Sequence, residues 1–379
     1  IQAFDAAGFP VSCAGEVADG ALPRGHARPE AMAAQALAEA FAQAGLPAPG
    51  TDPGAAPDPR RAVSFAVGKP TLNLEALARS RARWADHCDP AELLRQLPEL
   101  ERERADADPA AVLRRLARSG HAAGPLYSSY TACASGNDAI GLGKRLIERG
   151  EAEMVIAGAT DAQVHPLSLL EFELLSALSH QPAARACRPF DRERTGFVVG
   201  EGAAVVILEE AAAAQRRGAA PLAELLGYGS SLDCYGLTKC HPQGRGAALA
   251  IRAALADAGL EPADIDYLNA HGTGTVLNDQ AEAAAIHQVW GADVARLPVS
   301  STKAMTGHLL TAASAVEAVI ALLALEDGVL PPNLNYEHHD PDCNLNLVTT
   351  AGRRAPLRVA MSNGFGFGGQ NSSLILRTP

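Results

Sequence analysis

The sequence predicts an α/β protein of five layers, built from two duplicated halves with buried helices between two sheets. Apolar runs of strand length alternate with longer helical segments along most of the 379 residues. The stretch "TGFVVGEGAAVVILEE" at 195–210 is echoed near the C-terminus by "RVAMSNGFGFGGQNSSLILRT", each reading as apolar strand, glycine corner, apolar strand. Alanine is abundant and aromatic residues make up only 4%, which favours close packing between helices and sheets through small side chains. The halves divide at 1–215 and 216–379.

Residues 1–28, rich in Gly, Pro and Ala, read as irregular. "PEAMAAQALAEAFAQAGL" from Pro29 has proline at its start, helical periodicity and a terminal glycine, so it predicts a helix. "RAVSFAVG" at 61–68 is a short apolar run flanked by punctuation, hence a buried strand. Residues 72–108 are charged and helical, interrupted at Pro98, and form an insertion or a solvated cap. "GPLYSSYTACASGNDAIGLGKRLIERG" predicts a buried strand, a tight small-residue turn and a helix ending at Gly150, and "AEMVIAGAT" at 152–160 a further buried strand. After a helix and the linker near Gly218 the pattern restarts: "AELLGYGSS" as strand, "GRGAALAIRAALADAGL" as helix, "IDYLNAHGTGT" as strand into loop. "MTGHLLTAASAVEAVIALLALEDG" reads as one long apolar helix before the closing strand pair.

Composition narrows the function. With 47% hydrophobic and 20% charged residues the chain can bury a sizeable core, which excludes wholesale disorder. No uncharged apolar run reaches the ~20 residues that span a bilayer, and no basic head followed by an apolar stretch opens the chain, so a cytoplasmic location is expected. A net charge of −11 argues against nucleic acid as the main partner. Seven scattered cysteines do not make the dense framework of a small secreted domain, and a reduced state leaves one free to act as a nucleophile.

Cys133 in "YTACASG" sits where a strand turns into a helix. A thiol there meets unpaired backbone N–H groups and the positive end of the macrodipole, which favours thiolate. Ala132, Ala134 and Gly136 beside it are the small residues that such an elbow needs. His271 leaves an apolar strand into "HGTGT", and ligands gather at the carboxyl ends of strands in α/β sheets. In "VSSTKAMTGH", Lys303 and His308 precede Glu317 on the next helix. A lysine and a glutamate in apolar surroundings should pair, because an unpaired buried charge is costly, and the pair is expected to fix the His308 region. Cys234, Cys240 and His241 lack a second ligand pair, so no metal is expected.

Taken together, "TACASG", "PFDRERTGFVVGEGA", "NAHGTGT", "SSTKAMTGH" followed by "AASAVEA", and "SNGFGFGGQN" make the chain resemble an elongating β-ketoacyl-acyl-carrier-protein synthase, a ketosynthase of the thiolase superfamily. The motifs run from about Tyr127 to the C-terminus in the family's order. The resemblance implies the thiolase-like αβαβα fold and a decarboxylative Claisen condensation in type II polyketide or fatty-acid synthesis. Cys133 would carry the acyl chain as a thioester, and His271 and His308 would assist malonyl decarboxylation, with Lys303 and Glu317 in support. Backbone N–H groups of Cys133 and Phe367 would form the oxyanion hole, and Thr273 and Thr275 would bind the phosphopantetheine arm. Phe365 and Phe367 lie in the gating loop of the acyl pocket. No cofactor belongs to the enzyme itself; phosphopantetheine arrives on the acyl carrier protein, the expected partner along with acyl and malonyl thioesters and a second ketosynthase-like subunit, identical or not. Asp191, Arg192, Glu193 and Arg194 are read as structural.

This chain also departs from the family. It begins beyond the short strand that usually opens these proteins, and Arg24, His26 and Arg28 are the remaining basic candidates for carrier contact near the N-terminus. Three other activities compete. A chain-length-factor subunit would lack the cysteine; a thiolase would need a second cysteine in the C-terminal glycine loop, which has none; a cysteine-dependent thioester hydrolase would cleave acyl thioesters without condensation.

Overall fold

The computed structural model describes the chain except residues 5, 7, 19, 21, 24–26, 51–55 and 71–108, so the insertion expected at 72–108 lies outside the described residues, as do Arg24 and His26. In chain order the elements up to residue 216 are α1 (Arg28–Gln43), β1 (Arg61–Val67), α2 (Pro109–Ser119), β2 (Leu126–Tyr127), α3 (Ser135–Glu148), β3 (Met154–Ala162), α4 (Pro166–Leu174), β4 (Glu201–Glu209) and α5 (Ala211–Arg216). Then follow β5 (Glu224–Leu232), α6 (Arg245–Ala258), β6 (Tyr267–Asn269), α7 (Val276–Trp290), β7 (Val299–Ser300) and α8 (Lys303–Thr306). The chain closes with α9 (Ala313–Asp327), β8 (Val329–Leu330), β9 (Arg353–Arg354), β10 (Val359–Gly366) and β11 (Gln370–Arg377).

Duplication is visible in the strand pairing. One sheet has the order β2-β1-β3-β4 and the other β7-β6-β10-β11-β5. In each, two parallel pairings are followed by an antiparallel one, at β3 with β4 and at β10 with β11, and the second sheet adds a further antiparallel pairing of β11 with β5. Five layers result. α1 and α2 cover the first sheet through Leu37, Phe41, Leu113 and Leu116. α3 and α9 fill the space between the sheets through Ala139, Ile140, Ala315 and Ala318, while α6 and α7 cover the second sheet through Ile251, Leu255 and Ile286. Small residues permit the close central approach: a Cβ on Gly136 of α3 would lie 2.3 Å from the Ala315 nitrogen of α9. β3, buried along all nine residues, is the kind of strand that both neighbouring layers demand.

Three sequence expectations need correction. The strand before Cys133 is only the two-residue β2, and it is exposed at the sheet edge rather than buried. Residues 195–200 make isolated bridges, and a single strand, β4, begins at Glu201. The long apolar helix is broken. α8 ends at Gly307 with φ +76°, Leu310 takes φ +53°, and α9 starts at Ala313. Both breaks have one cause: the 198–200 segment pairs with His308 instead of a sheet neighbour, accepting its N–H at Val198 O (2.7 Å) and donating from Gly200 N to its carbonyl (2.9 Å).

Candidate active site

A one-turn helix at Ala132–Ala134 runs straight into α3 and puts Cys133 at the mouth of the helix, as the sequence suggested. Ala132 holds φ +50°, a left-handed conformation that costs a non-glycine residue about 1–2 kcal/mol. Local bonds hold it there. Thr131 N–H donates to Ser135 Oγ (2.8 Å), Ser135 Oγ to Ala132 O (2.6 Å), and Thr131 Oγ1 to Asp138 Oδ2 (2.6 Å). The hydroxyl of Tyr228, from β5, donates to the other Asp138 oxygen at 2.8 Å, tying the elbow to the second sheet. Gly366 closes over it, since a Cβ there would lie 2.7 Å from Thr131 O and 3.0 Å from Cys133 N.

The expected resting thiolate is not what this environment favours. Burial pushes the Cys133 thiol up to about 12; the Lys303 charge and its own backbone N–H pull it down, while Asp161 and Glu317 add to the rise. Desolvation therefore outweighs the helix end, and the sulfur rests as a neutral thiol.

His271 follows β6 and is buried. Its backbone N–H and that of Gly272 donate to the two oxygens of Glu282, at 2.9 and 2.7 Å, and Asn363 Nδ2 donates to the same carboxylate at 3.2 Å. The three N–H groups of Lys303, fully buried, meet three acceptors: Glu317 Oε1 and His271 O at 2.5 Å each, and His271 Nδ1 at 3.3 Å. The Lys303–Glu317 pair thus forms as expected, but it braces His271, whereas His308 feels only the lysine's charge. His308 is set by Phe197, edge-on at 5.0 Å between ring centroids, and by Leu310 N–H, which donates to its Nδ1 at 3.4 Å. The two imidazoles stand 5.3 Å apart at 79°. Burial, with Lys303 nearby, holds both well below the usual histidine range, so both rings are neutral at physiological pH. Because each Nδ1 accepts, each Nε2 carries the proton.

Cys133, His271 and His308 line one cavity of about 330 Å³ with Thr273, Thr275, Phe365 and Phe367. Lys303 and Glu317 stand behind its wall. The Thr273 and Thr275 hydroxyls bond each other at 2.8 Å, and Asp279, itself held by Arg194 and Phe190 N–H, accepts from Gly274 N–H at 3.2 Å. Arg194 of the "DRER" run is thus held inside the fold, by Asp279 and Asp340. Arg28, a candidate for carrier contact, is spent internally on Glu201 and Val17 O. Glu282, Asn363, Phe197 and Leu310 escaped the sequence reading. Only Glu282 left a signal, as a carboxylate in the alanine run of α7, eleven positions after His271.

Residues 28–214 match the family model for the beta-ketoacyl synthase N-terminal domain, and residues 222–337 match that for the C-terminal domain. The chain belongs to the β-ketoacyl synthase family. The synthase is 39% identical to the tetracenomycin polyketide synthase ketoacyl synthase alpha subunit of Streptomyces glaucescens, over all of this chain and 89% of that protein. It is 45% identical to 3-oxoacyl-[acyl-carrier-protein] synthase 2 of Synechocystis sp., over 68% of this chain and 62% of the relative. Among solved structures it is similar to a type II polyketide ketosynthase bound to the hexaketide, in complex with its acyl-carrier protein. There the TM-score is 0.84 at 31% identity, covering 99% of this chain and 90% of that one. The ishigamide ketosynthase/chain length factor gives 0.82 at 32% identity, covering 100% and 91%.

Proposed function

We propose that the synthase condenses an acyl group held on Cys133 with a malonyl thioester, both delivered by an acyl carrier protein, in type II polyketide or fatty-acid assembly. The observation that carries this reading is the one cavity that Cys133, at the start of α3, shares with two neutral imidazoles, each with Nε2–H as its donor. In the first half-reaction the sulfur attacks the acyl thioester and its proton passes to the departing pantetheine thiol, so the exchange is neutral overall and suits a thiol kept un-ionised at rest. The backbone N–H groups of Cys133 and Phe367 are the assigned donors to the tetrahedral oxyanion.

In the second, malonyl loses CO2 and its electron pair becomes an enolate. Two neutral N–H donors, His271 and His308, stabilise that charge without offering a competing acid. The carbanion attacks the acyl carbonyl on Cys133, the C–S bond breaks, and the thiolate takes up a proton. Lys303, with Glu317, holds His271 in the donating tautomer. Thr273 and Thr275 receive the phosphopantetheine arm, and Phe365 and Phe367 gate the acyl pocket. No cofactor of the synthase enters these steps.

The similar ketosynthase/chain-length-factor structures support a ketosynthase-like second subunit as partner. Of the two subunits in such a pair, the presence of Cys133 favours the active one. Among the described residues no helix is long and apolar enough to cross a membrane; we assign the reaction to the cytoplasm, which the six free described cysteines support.

The test is reconstitution with acyl- and malonyl-loaded carrier protein. A 3-oxoacyl product that disappears with Cys133→Ala is the expected result. Release of free acid with no condensation product would instead assign a thioester hydrolase.

A further inference from the structure

Outside the groups given roles above, one buried carboxylate stands out. Asp161, near the end of β3, is 2% exposed. Its Oδ2 accepts the backbone N–H of Thr311 at 3.0 Å and its Oδ1 accepts from Gln163 Nε2 at 2.9 Å. Gln163 in turn donates to Lys69 O (2.6 Å) and accepts from Ser168 Oγ (2.6 Å), so the carboxylate is clamped from the neighbouring strand end and from α4. Gly68 makes the room for it, since a Cβ there would lie 2.0 Å from Asp161 Oδ1. No cation among the described residues pairs with it; Lys69, which feels its charge, pairs with Glu171.

A buried acid without a counter-cation costs stability, and here two things follow from it. The Thr311 N–H it holds belongs to the Leu310–Ala312 turn, directly after His308, where Leu310 keeps a left-handed φ of +53° and donates to the His308 ring. Its negative charge also acts on Cys133, in the same direction as that of Glu317 and against that of Lys303, while His271 and His308 are neutral.

We propose that Asp161 is a positioning residue for the condensation: it pins the turn that orients His308. This rests on the decarboxylating role given to His308.

Two measurements test it. In Asp161→Ala the Thr311 N–H loses its acceptor, so the His308 ring nitrogen resonances, followed by 15N NMR on the resting protein, should shift while those of His271 stay in place. Gly68→Ala displaces the carboxylate but keeps its charge. It should slow malonyl decarboxylation at least about tenfold, with Cys133 alkylation within about twofold of wild type and thermal melting confirming the fold. Unmoved His308 resonances in folded Asp161→Ala, or unchanged decarboxylation in folded Gly68→Ala, overturns the proposal. If Asp161→Ala does not fold, Gly68→Ala alone decides. Absence of decarboxylation by the wild-type protein would instead count against the proposed function, and the His308 resonances of Asp161→Ala would still report on Asp161.

Discussion

Replacing Lys303 by Met removes the brace behind His271. The ammonium is fully buried and makes three contacts, two of them at 2.5 Å. Deleting one partner of a buried ion pair costs about 3–5 kcal/mol, because the other is left without compensation. Glu317, already pushed up to about 7 by burial against the pull of Lys303, must then take up a proton. The variant Lys303→Met should therefore unfold at lower denaturant, and Lys303→Met/Glu317→Leu should recover at least about half of the loss. The catalytic signature is separate. Without Lys303 the His271 Nδ1 loses its donor and the ring loses the cation that lowers its pKa, so imidazolium forms at higher pH than in the wild type. Malonyl decarboxylation should fall roughly 100-fold at pH 7, and its acid limb should move to higher pH. Urea titration with single-turnover decarboxylation from pH 5.5 to 8.5 measures both. A cost below about 1 kcal/mol, or a double variant as unstable as the two singles summed, contradicts the buried-pair reasoning. An unmoved acid limb contradicts the tautomer assignment.

Other outcomes follow from the same geometry. Gly366→Ala puts a Cβ 2.7 Å from Thr131 O and 3.0 Å from Cys133 N, so acyl transfer to Cys133 should slow by roughly tenfold or more in a folded protein; quenched-flow acylation checks it. Thr275→Val should raise KM for carrier-borne thioester roughly tenfold, about 1.4 kcal/mol, with a smaller change in kcat, read from initial rates. Asp161 is raised from 3.8 to about 6; the native state therefore binds the extra proton between those values. Its contribution should lower stability by up to about 3 kcal/mol as pH rises from 4 to 6 and stay constant above. Comparing wild type with Asp161→Asn in urea at pH 4.5 and 7.5 isolates that term.

Much of this was legible in the chain. The "MVIAGA" stretch of β3 is apolar because both faces of the strand are buried, and period-based reading finds such runs easily. Cys133 and His271 could be picked out because each sits in a run of small residues that has no other reason to carry it, and His308 because it closely follows Lys303 in "VSSTKAMTGH". What escaped depends on contacts between distant segments. The break between α8 and α9 is imposed by residues 198–200 bonding to His308, and local helical periodicity carries no trace of that. The resting state of Cys133 was misread for the same reason: a helix start can be seen in sequence, whereas the desolvation that outweighs it comes from side chains gathered from both halves. Likewise Lys303 and Glu317 were paired correctly, but which histidine they brace depended on the loop after β6 folding back over the lysine.

The nitrogen chemical shifts of His271 and His308, recorded by 15N NMR on the resting protein from pH 5.5 to 8.5, bear on the enolate-stabilising pair itself. Both rings should show a protonated Nε2, an unprotonated Nδ1 and no titration across the range. Imidazolium forming in either ring near pH 6.5, or a proton resident on either Nδ1, would mean that the two donors are not the ones assigned.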